Sequence, residues 1–170
     1  MVPTIEKDNS NNSAMSLKVK IKIKDRIVID VRKAIKEAQS KDVVKAGVLE
    51  SAGSYPDGLH AAEVATFHEF GTRDIPQRSF LRSTERENRE ALFVLFQQLT
   101  MHVLLRKMTA NKALGLVGEK MKGLIQKKIA NGDPNWKKLE DSTIAAKGSS
   151  KALIDTGQLR QSINYEVVKK

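Results

Sequence analysis

The sequence has no cysteine, which excludes disulfides and thiolate metal sites and suits assembly in a reducing cytoplasm. Aromatic residues make up only 5% of the 170 positions, so Leu, Ile and Val must carry most of the packing. No stretch approaches the roughly 18 consecutive apolar residues of a membrane-spanning helix, and no membrane association is expected. Met1 to Met15 is polar, rich in Asn and Ser, and lacks the apolar region of a secretory signal. Residues 1–16 are therefore expected to be a flexible arm that orders only on a partner, ahead of a single domain over residues 17–170.

Hydrophobic residues at 40% and charged residues at 29% describe an ordinary globular chain. A chain of this length buries about two-thirds of its unfolded surface, enough for a proper core. The net charge of +10 is unevenly spread: residues 17–45 carry +6, residues 46–71 carry −4, and residues 101–130 carry +6. Two basic segments flanking an acidic one suit head-to-tail contact between identical subunits. They equally suit a DNA-facing surface or a solvated basic face.

Leu17 to Lys24 alternates apolar and basic residues, which predicts a half-buried strand with Lys18, Lys20, Lys22 and Lys24 along its polar face. From Asp25 the spacing turns helical, with Ile27, Val31, Ala34, Ile35 and Ala38 on one face and an end near Ser40. Val43 to Glu50 reads as a second strand, and Tyr55-Pro56-Asp57-Gly58 as a turn. Ala61 to Phe70 predicts a short helix closed by Gly71 in a left-handed conformation. Ile75-Pro76 forces an extended passage. A long helix is expected from Ser83 or Thr84 to about Met108, with Glu85, Glu87 and Glu90 near its positive end. Its middle, Ala91 to Phe96, is apolar almost all round and calls for burial on more than one side.

Thr109 can cap a further helix to about Ala130, with Leu114, Val117, Met121, Leu124, Ile125 and Ile129 inward. Gly115, Gly118 and Gly123 each cost about 1 kcal/mol there relative to Ala, and point to close packing or a break. Asn131-Gly132-Asp133-Pro134 ends it. A loop with a short turn of helix after Ser142 follows, then a helix over Gly157 to Ser162 capped by Thr156, then a strand from Asn164 to Val168. The fold expected is α+β, a small, mainly antiparallel sheet packed against two long helices.

The catalytic patterns fail. His68-Glu69 would open a zinc-protease helix only with a second histidine at position 72, which is Thr72. No carboxylate cluster joins His60, His68 and His102 at ligand spacing, and no phosphate loop or nucleophile elbow occurs. Asp133, Asp141 and Asp155 fall at turn and capping positions. Neither enzymatic activity, a metal nor a cofactor is expected. The basic segments lack stacking aromatics and any helix-turn-helix pattern, which disfavours a base-reading or single-strand binder.

Two segments carry more. The first is Ala62-Glu63-Val64-Ala65-Thr66-Phe67-His68-Glu69-Phe70-Gly71-Thr72, followed by Ile75-Pro76-Gln77-Arg78-Ser79-Phe80-Leu81-Arg82. The second runs from Trp136-Lys137-Lys138-Leu139 past Thr143 and Lys147-Gly148 to Leu153-Ile154-Asp155-Thr156-Gly157-Gln158-Leu159-Arg160-Gln161-Ser162-Ile163. In this order and spacing they resemble the virion morphogenesis (tail completion) proteins of tailed bacteriophages, of the Mu-like and P2-like kind, over roughly residues 43–168. Ala152 departs from the proline usual in that family before the Leu-Ile-Asp-Thr-Gly run.

The resemblance implies a structural neck or head–tail connector subunit, working in the virion and assembled in the host cytoplasm. Its partners would be copies of itself in a ring (a hexamer by family analogy), other neck and tail proteins, and packaged DNA through non-specific contact. His68, Glu69, Phe70, Gly71, Thr72, Pro76, Arg78, Phe80, Leu81, Arg82, Trp136, Asp155, Thr156, Gly157, Leu159 and Arg160 are then the fold-fixing and interface candidates. Phe70 is expected as a buried aromatic at the helix end, Phe80 and Leu81 as a re-entry into the core, and Asp155-Thr156-Gly157 as a helix start. Arg73, Arg78, Arg82 and Arg160 are expected on a partner-facing or solvated surface, or in local ion pairs. The competing reading is a basic DNA-binding protein acting on phage DNA, with a virion-associated hydrolase third.

Overall fold

The computed structural model describes the backbone from Asp25 and the side chains from Arg32, in both cases to Lys170. The arm at residues 1–16 and the lysine row Lys18, Lys20, Lys22 and Lys24 lie outside the described residues. Helix α1 spans Asp25–Ala38, strand β1 Val43–Val48, α2 Ala61–Phe70, α3 Leu81–Leu104 and α4 Ala110–Asn131. Short helices α5 (Asp141–Lys147) and α6 (Gln158–Gln161) lead to strand β2 (Ile163–Val168). The strands pair antiparallel, from Val43 opposite Val168 to Val48 opposite Ile163. The fold is α+β, with this two-stranded sheet packed against the long helices.

The sheet lies on α4, and one glycine sets how closely. Gly118 is buried, and a Cβ placed there would lie 2.6 Å from Cγ of Tyr165 and 2.8 Å from Cγ2 of Val44. Only a helix surface without a side chain admits the strands at that distance, which accounts for a residue otherwise unfavourable in a helix. Gly123 faces open space, so this explanation does not extend to it.

The apolar residues gather in two clusters. Ala65, Phe80, Ile125, Ile129, Leu153, Leu159 and Ile163 form the larger, joining α2, the start of α3, α4, α6 and β2. Leu99, Val103 and Ala113 form the smaller where α3, α4 and α1 meet, with Ala38 and Val117 against it. Thr109 caps α4 as expected, accepting from Lys112 N–H at 3.3 Å, and the Glu37 carboxylate of α1 accepts from Ala110 N–H at 2.9 Å.

Several expectations need correcting. Helix α3 starts at Leu81, ahead of Ser83 and Thr84, and ends at Leu104 rather than Met108. Glu85, Glu87 and Glu90 therefore lie past its first turn. Glu85 pairs with Arg89 and Glu87 with Lys128 instead. Ile35 is 44% exposed rather than inward. Gly71 has φ +78° and ψ 165°, a positive-φ region outside the left-handed helical well. That region is open essentially to Gly alone, so the demand for glycine is stricter than a helical cap would make it.

Candidate functional site: the helix junction and its cleft

The end of α2 and the start of α3 satisfy one another. A helix leaves its last carbonyls and first N–H groups without internal partners. Here the His68 carbonyl accepts from Arg78 N–H at 2.7 Å. The Glu69 carbonyl accepts from Gln77 Nε2 at 3.2 Å and Arg82 Nη2 at 3.0 Å. On the α3 side, the Glu69 carboxylate accepts from the N–H groups of Phe80 (2.8 Å), Leu81 (2.8 Å) and Arg82 (3.1 Å). It also accepts from the Ser79 hydroxyl at 2.7 Å and Arg82 Nε at 2.9 Å. Glu69 is only 3% exposed. Burial alone would raise its carboxyl pKa, but the bonds from Leu81, Ser79 and Arg82 outweigh that and hold it below the usual carboxylate range. A negative charge at the positive end of a 24-residue helix adds to the same effect.

The two motif segments also face each other across a cleft of about 460 Å³. His68, Ile75, Pro76 and Arg78 line it from the first segment, and Leu139, Lys147, Leu153 and Asp155 from the second. Arg78, expected at the surface or in an ion pair, is 4% exposed. Its Nη2 donates to the Lys137 carbonyl at 3.3 Å, and its Nε is buried with no partner. Nδ1 of His68 is buried and unpartnered as well. Burial, then the charges of Arg78 and Lys147, push the His68 pKa down to about 4, so the ring is neutral at pH 7. Lys147 Nζ donates to the carbonyls of Lys151 (3.3 Å) and Ala152 (3.2 Å). Burial and Arg78 draw its pKa down, and Asp155 opposes them.

A third feature lies on the outer side of α3. Phe93 (61% exposed), Val94, Phe96, Met101 and Leu104 are large apolar side chains left in the open. At 3.6 residues per turn they fall within about 160° of the helix circumference, with Gln97 and Thr100 among them, and Leu95, Leu99 and Val103 pack inward on the remaining arc. Among the described residues, the wide apolar band expected at Ala91 to Phe96 is thus covered on one side only.

The other candidates divide between the core and turns. Phe80 and Leu159 are buried, and Leu81 and Trp136 pack half-buried against the larger cluster. Phe70, expected inside, is 60% exposed, with the Arg82 guanidinium 4.4 Å from its ring centroid. Burial of the motif's aromatic falls to Phe80 alone. The Thr72 hydroxyl accepts from Asp74 and Ile75 N–H groups and ties the 72–75 turn. Thr156 accepts from Gln158 N–H at 3.3 Å, and Gly157 enters α6 at φ +81°. Asp155 lines the cleft, while Arg73 and Arg160 are exposed.

Ser79 and Lys147 fall within the motif segments but their spacing gives neither a role, and nothing in it marks Ser79 as a donor to Glu69 across the junction or Lys147 as a cation of the cleft. Among the described residues no group of three or more His, Asp and Glu is placed to hold a metal ion. No described helix is long and apolar enough to cross a membrane. The arrangement offers a rigid helix junction, a cation-floored cleft and an apolar outer face. No protein-family model, no curated protein and no solved structure matches this chain.

Proposed function

We propose that this chain is a structural subunit of a tailed-phage virion, a neck or tail-completion component that joins head to tail as a ring of identical copies. The virion assignment rests on the resemblance of the two motif segments. The assembly role rests on one observation, the exposed face of α3. Several large apolar side chains exposed on one helix face mark an interaction site in a soluble protein, and a second copy is its occupant in this reading. Ring contacts are heterologous, so the face meets a different surface on its neighbour. The separation of basic from acidic segments along the chain supplies complementary charge for such a contact.

Reconstruction of a virion carrying this protein tests the whole reading, with several copies around the neck or tail end as the expected result. A single copy, or none at that position, overturns it. In isolation, Phe93→Ser with Phe96→Ser should abolish the concentration-dependent mass increase expected of the wild type in light scattering. A wild type that stays monomeric on purified neck particles as well as alone refutes the role given to α3.

A second reading, DNA binding, is favoured by one observation: exposed Lys112, Lys120 and Lys127 share one side of α4. Duplex titration at two salt concentrations decides it, because each phosphate contact adds about −0.9 to the salt slope. Tight, steeply salt-dependent binding by the isolated chain would rank this reading first.

A further inference from the structure

The cleft between the motif segments is built unlike the rest of the surface. A guanidinium stays charged at any working pH, and a buried one is normally paired with a carboxylate. Arg78 is 4% exposed, yet among the described residues it makes no ion pair, and of its guanidinium nitrogens only Nη2 has a hydrogen-bond acceptor, the Lys137 carbonyl. The nearest buried carboxylate along the chain, Glu69, is committed to Ser79, Phe80, Leu81 and Arg82. Asp74, Glu140 and Asp155 line the cleft, but none comes within ion-pairing distance of Arg78. The buried, unpartnered Nε of Arg78 and Nδ1 of His68 belong to neighbouring strips of backbone, tied by the bond from Arg78 N–H to the His68 carbonyl. Lys147 adds a third nitrogen whose only acceptors are two carbonyls.

We propose that this cleft receives a carboxylate carried by another polypeptide, an Asp or Glu side chain that engages the Arg78 guanidinium and the His68 ring with Lys147 beside them. Three features select that ligand. A planar carboxylate matches the guanidinium fork and can accept from two nitrogens at once. The cleft walls include Val64, Ile75, Pro76, Leu139 and Leu153, which suit the apolar residues that flank an acidic side chain in a docked segment. The lining also carries donors open to phosphate, among them Lys137, Lys138 and Thr143, but Asp74, Glu140 and Asp155 beside them oppose a dianion more than a single carboxylate. Both nitrogens are closed to solvent here, so the side chains must turn outward as binding supplies the missing acceptor. A neutral His68 holding its proton on Nδ1 can donate directly, and a nearby negative charge would favour its protonated form. The site does not depend on the virion reading and would hold for any partner with such a segment.

The test uses the full-length, ¹⁵N-labelled protein and follows the Nε–H resonance of Arg78, assigned by its loss in Arg78→Lys. The probes are the blocked tripeptide Leu-Glu-Ile, its Leu-Gln-Ile counterpart, sodium acetate and inorganic phosphate. The Glu peptide should shift the resonance saturably and raise the His68 pKa, and the Gln peptide should bind at least about tenfold more weakly. Acetate should produce the same shift at higher concentration. Lys147→Met, whose fold is checked by its amide spectrum, should weaken Glu-peptide binding several-fold. No saturable shift up to about 10 mM Glu peptide, an affinity below any useful docking contact, would overturn the site. Equal binding of the Gln peptide would overturn the carboxylate, as would phosphate saturating first. Acetate binding as tightly as the peptide would overturn the polypeptide source.

Discussion

Glu69→Ala removes the acceptor that holds the start of α3. Its carboxylate takes three backbone N–H groups, a hydroxyl and a guanidinium, at 2.7 to 3.1 Å. Losing an ordinary helix cap costs about 1 kcal/mol, up to about 2. Phe80 is fully buried, so its stranded N–H adds the cost of an unsatisfied buried donor, about 1–3 kcal/mol. Leu81 and Arg82 lie nearer the surface and water can replace part of their loss. The Arg82 side chain is 56% exposed, so its ion pair contributes less than about 1 kcal/mol. Together these give about 2–6 kcal/mol, a large share of the roughly 5–15 kcal/mol that stabilises a typical domain. Urea unfolding at pH 7 should show the midpoint falling by about 2 M with the slope unchanged. Glu69→Gln keeps the shape and one acceptor oxygen but turns an NH₂ toward donors, so it should lose somewhat less. The depressed carboxyl pKa adds a pH signature. Its stabilisation is complete above the ordinary Glu value of about 4.3 and is lost as pH falls through the lower folded value. Glu69→Gln should lack that acid-dependent loss. A cost under about 1 kcal/mol for Glu69→Ala, with amide protection at Phe80 and Leu81 intact, would refute the account.

His68 gives a second, separate pH window. Its folded pKa of about 4 lies below the unfolded value, so the unfolded state takes up the proton first and stability should fall as pH drops from about 6.5 to about 4. His68→Gln should flatten the stability profile there, as measured by urea midpoints at several pH values. Gly118→Ala should destabilise by about 1–3 kcal/mol despite the better helix former, because the methyl group meets Tyr165 and Val44. Gly123→Ala, which meets nothing within 4 Å, should stabilise by about 1 kcal/mol, and the two melting temperatures should move in opposite directions. Gly71→Val should cost more than about 1 kcal/mol, since φ is +78° and a Cβ would sit 3.0 Å from Gln77 N. An unchanged melting temperature would refute that.

The sequence determined the elements wherever the signal was local. The strand from Val43, the Ala61–Phe70 helix, the Thr109 cap and the glycine stops at Gly71 and Gly132 all depend on residues a turn or two apart, and each stands where periodicity and cap chemistry put it, except that the strand expected to reach Glu50 ends at Val48 and Glu50–Ala52 forms a 3-10 turn. The α+β class followed from that order of elements. Tertiary structure decided what depends on a partner distant in sequence. Helix α3 begins at Leu81 because Glu69, eleven or more residues earlier, supplies the acceptor, so local acidic residues misplaced its start. Gly118 is required by the ring of Tyr165, a strand away, and no pattern within α4 reveals that. Arg78 reads as a surface arginine in sequence and becomes a buried cation only when residues 137–155 fold over it. Propensity and capping act through neighbours along the chain, whereas burial and charge pairing act through neighbours in space.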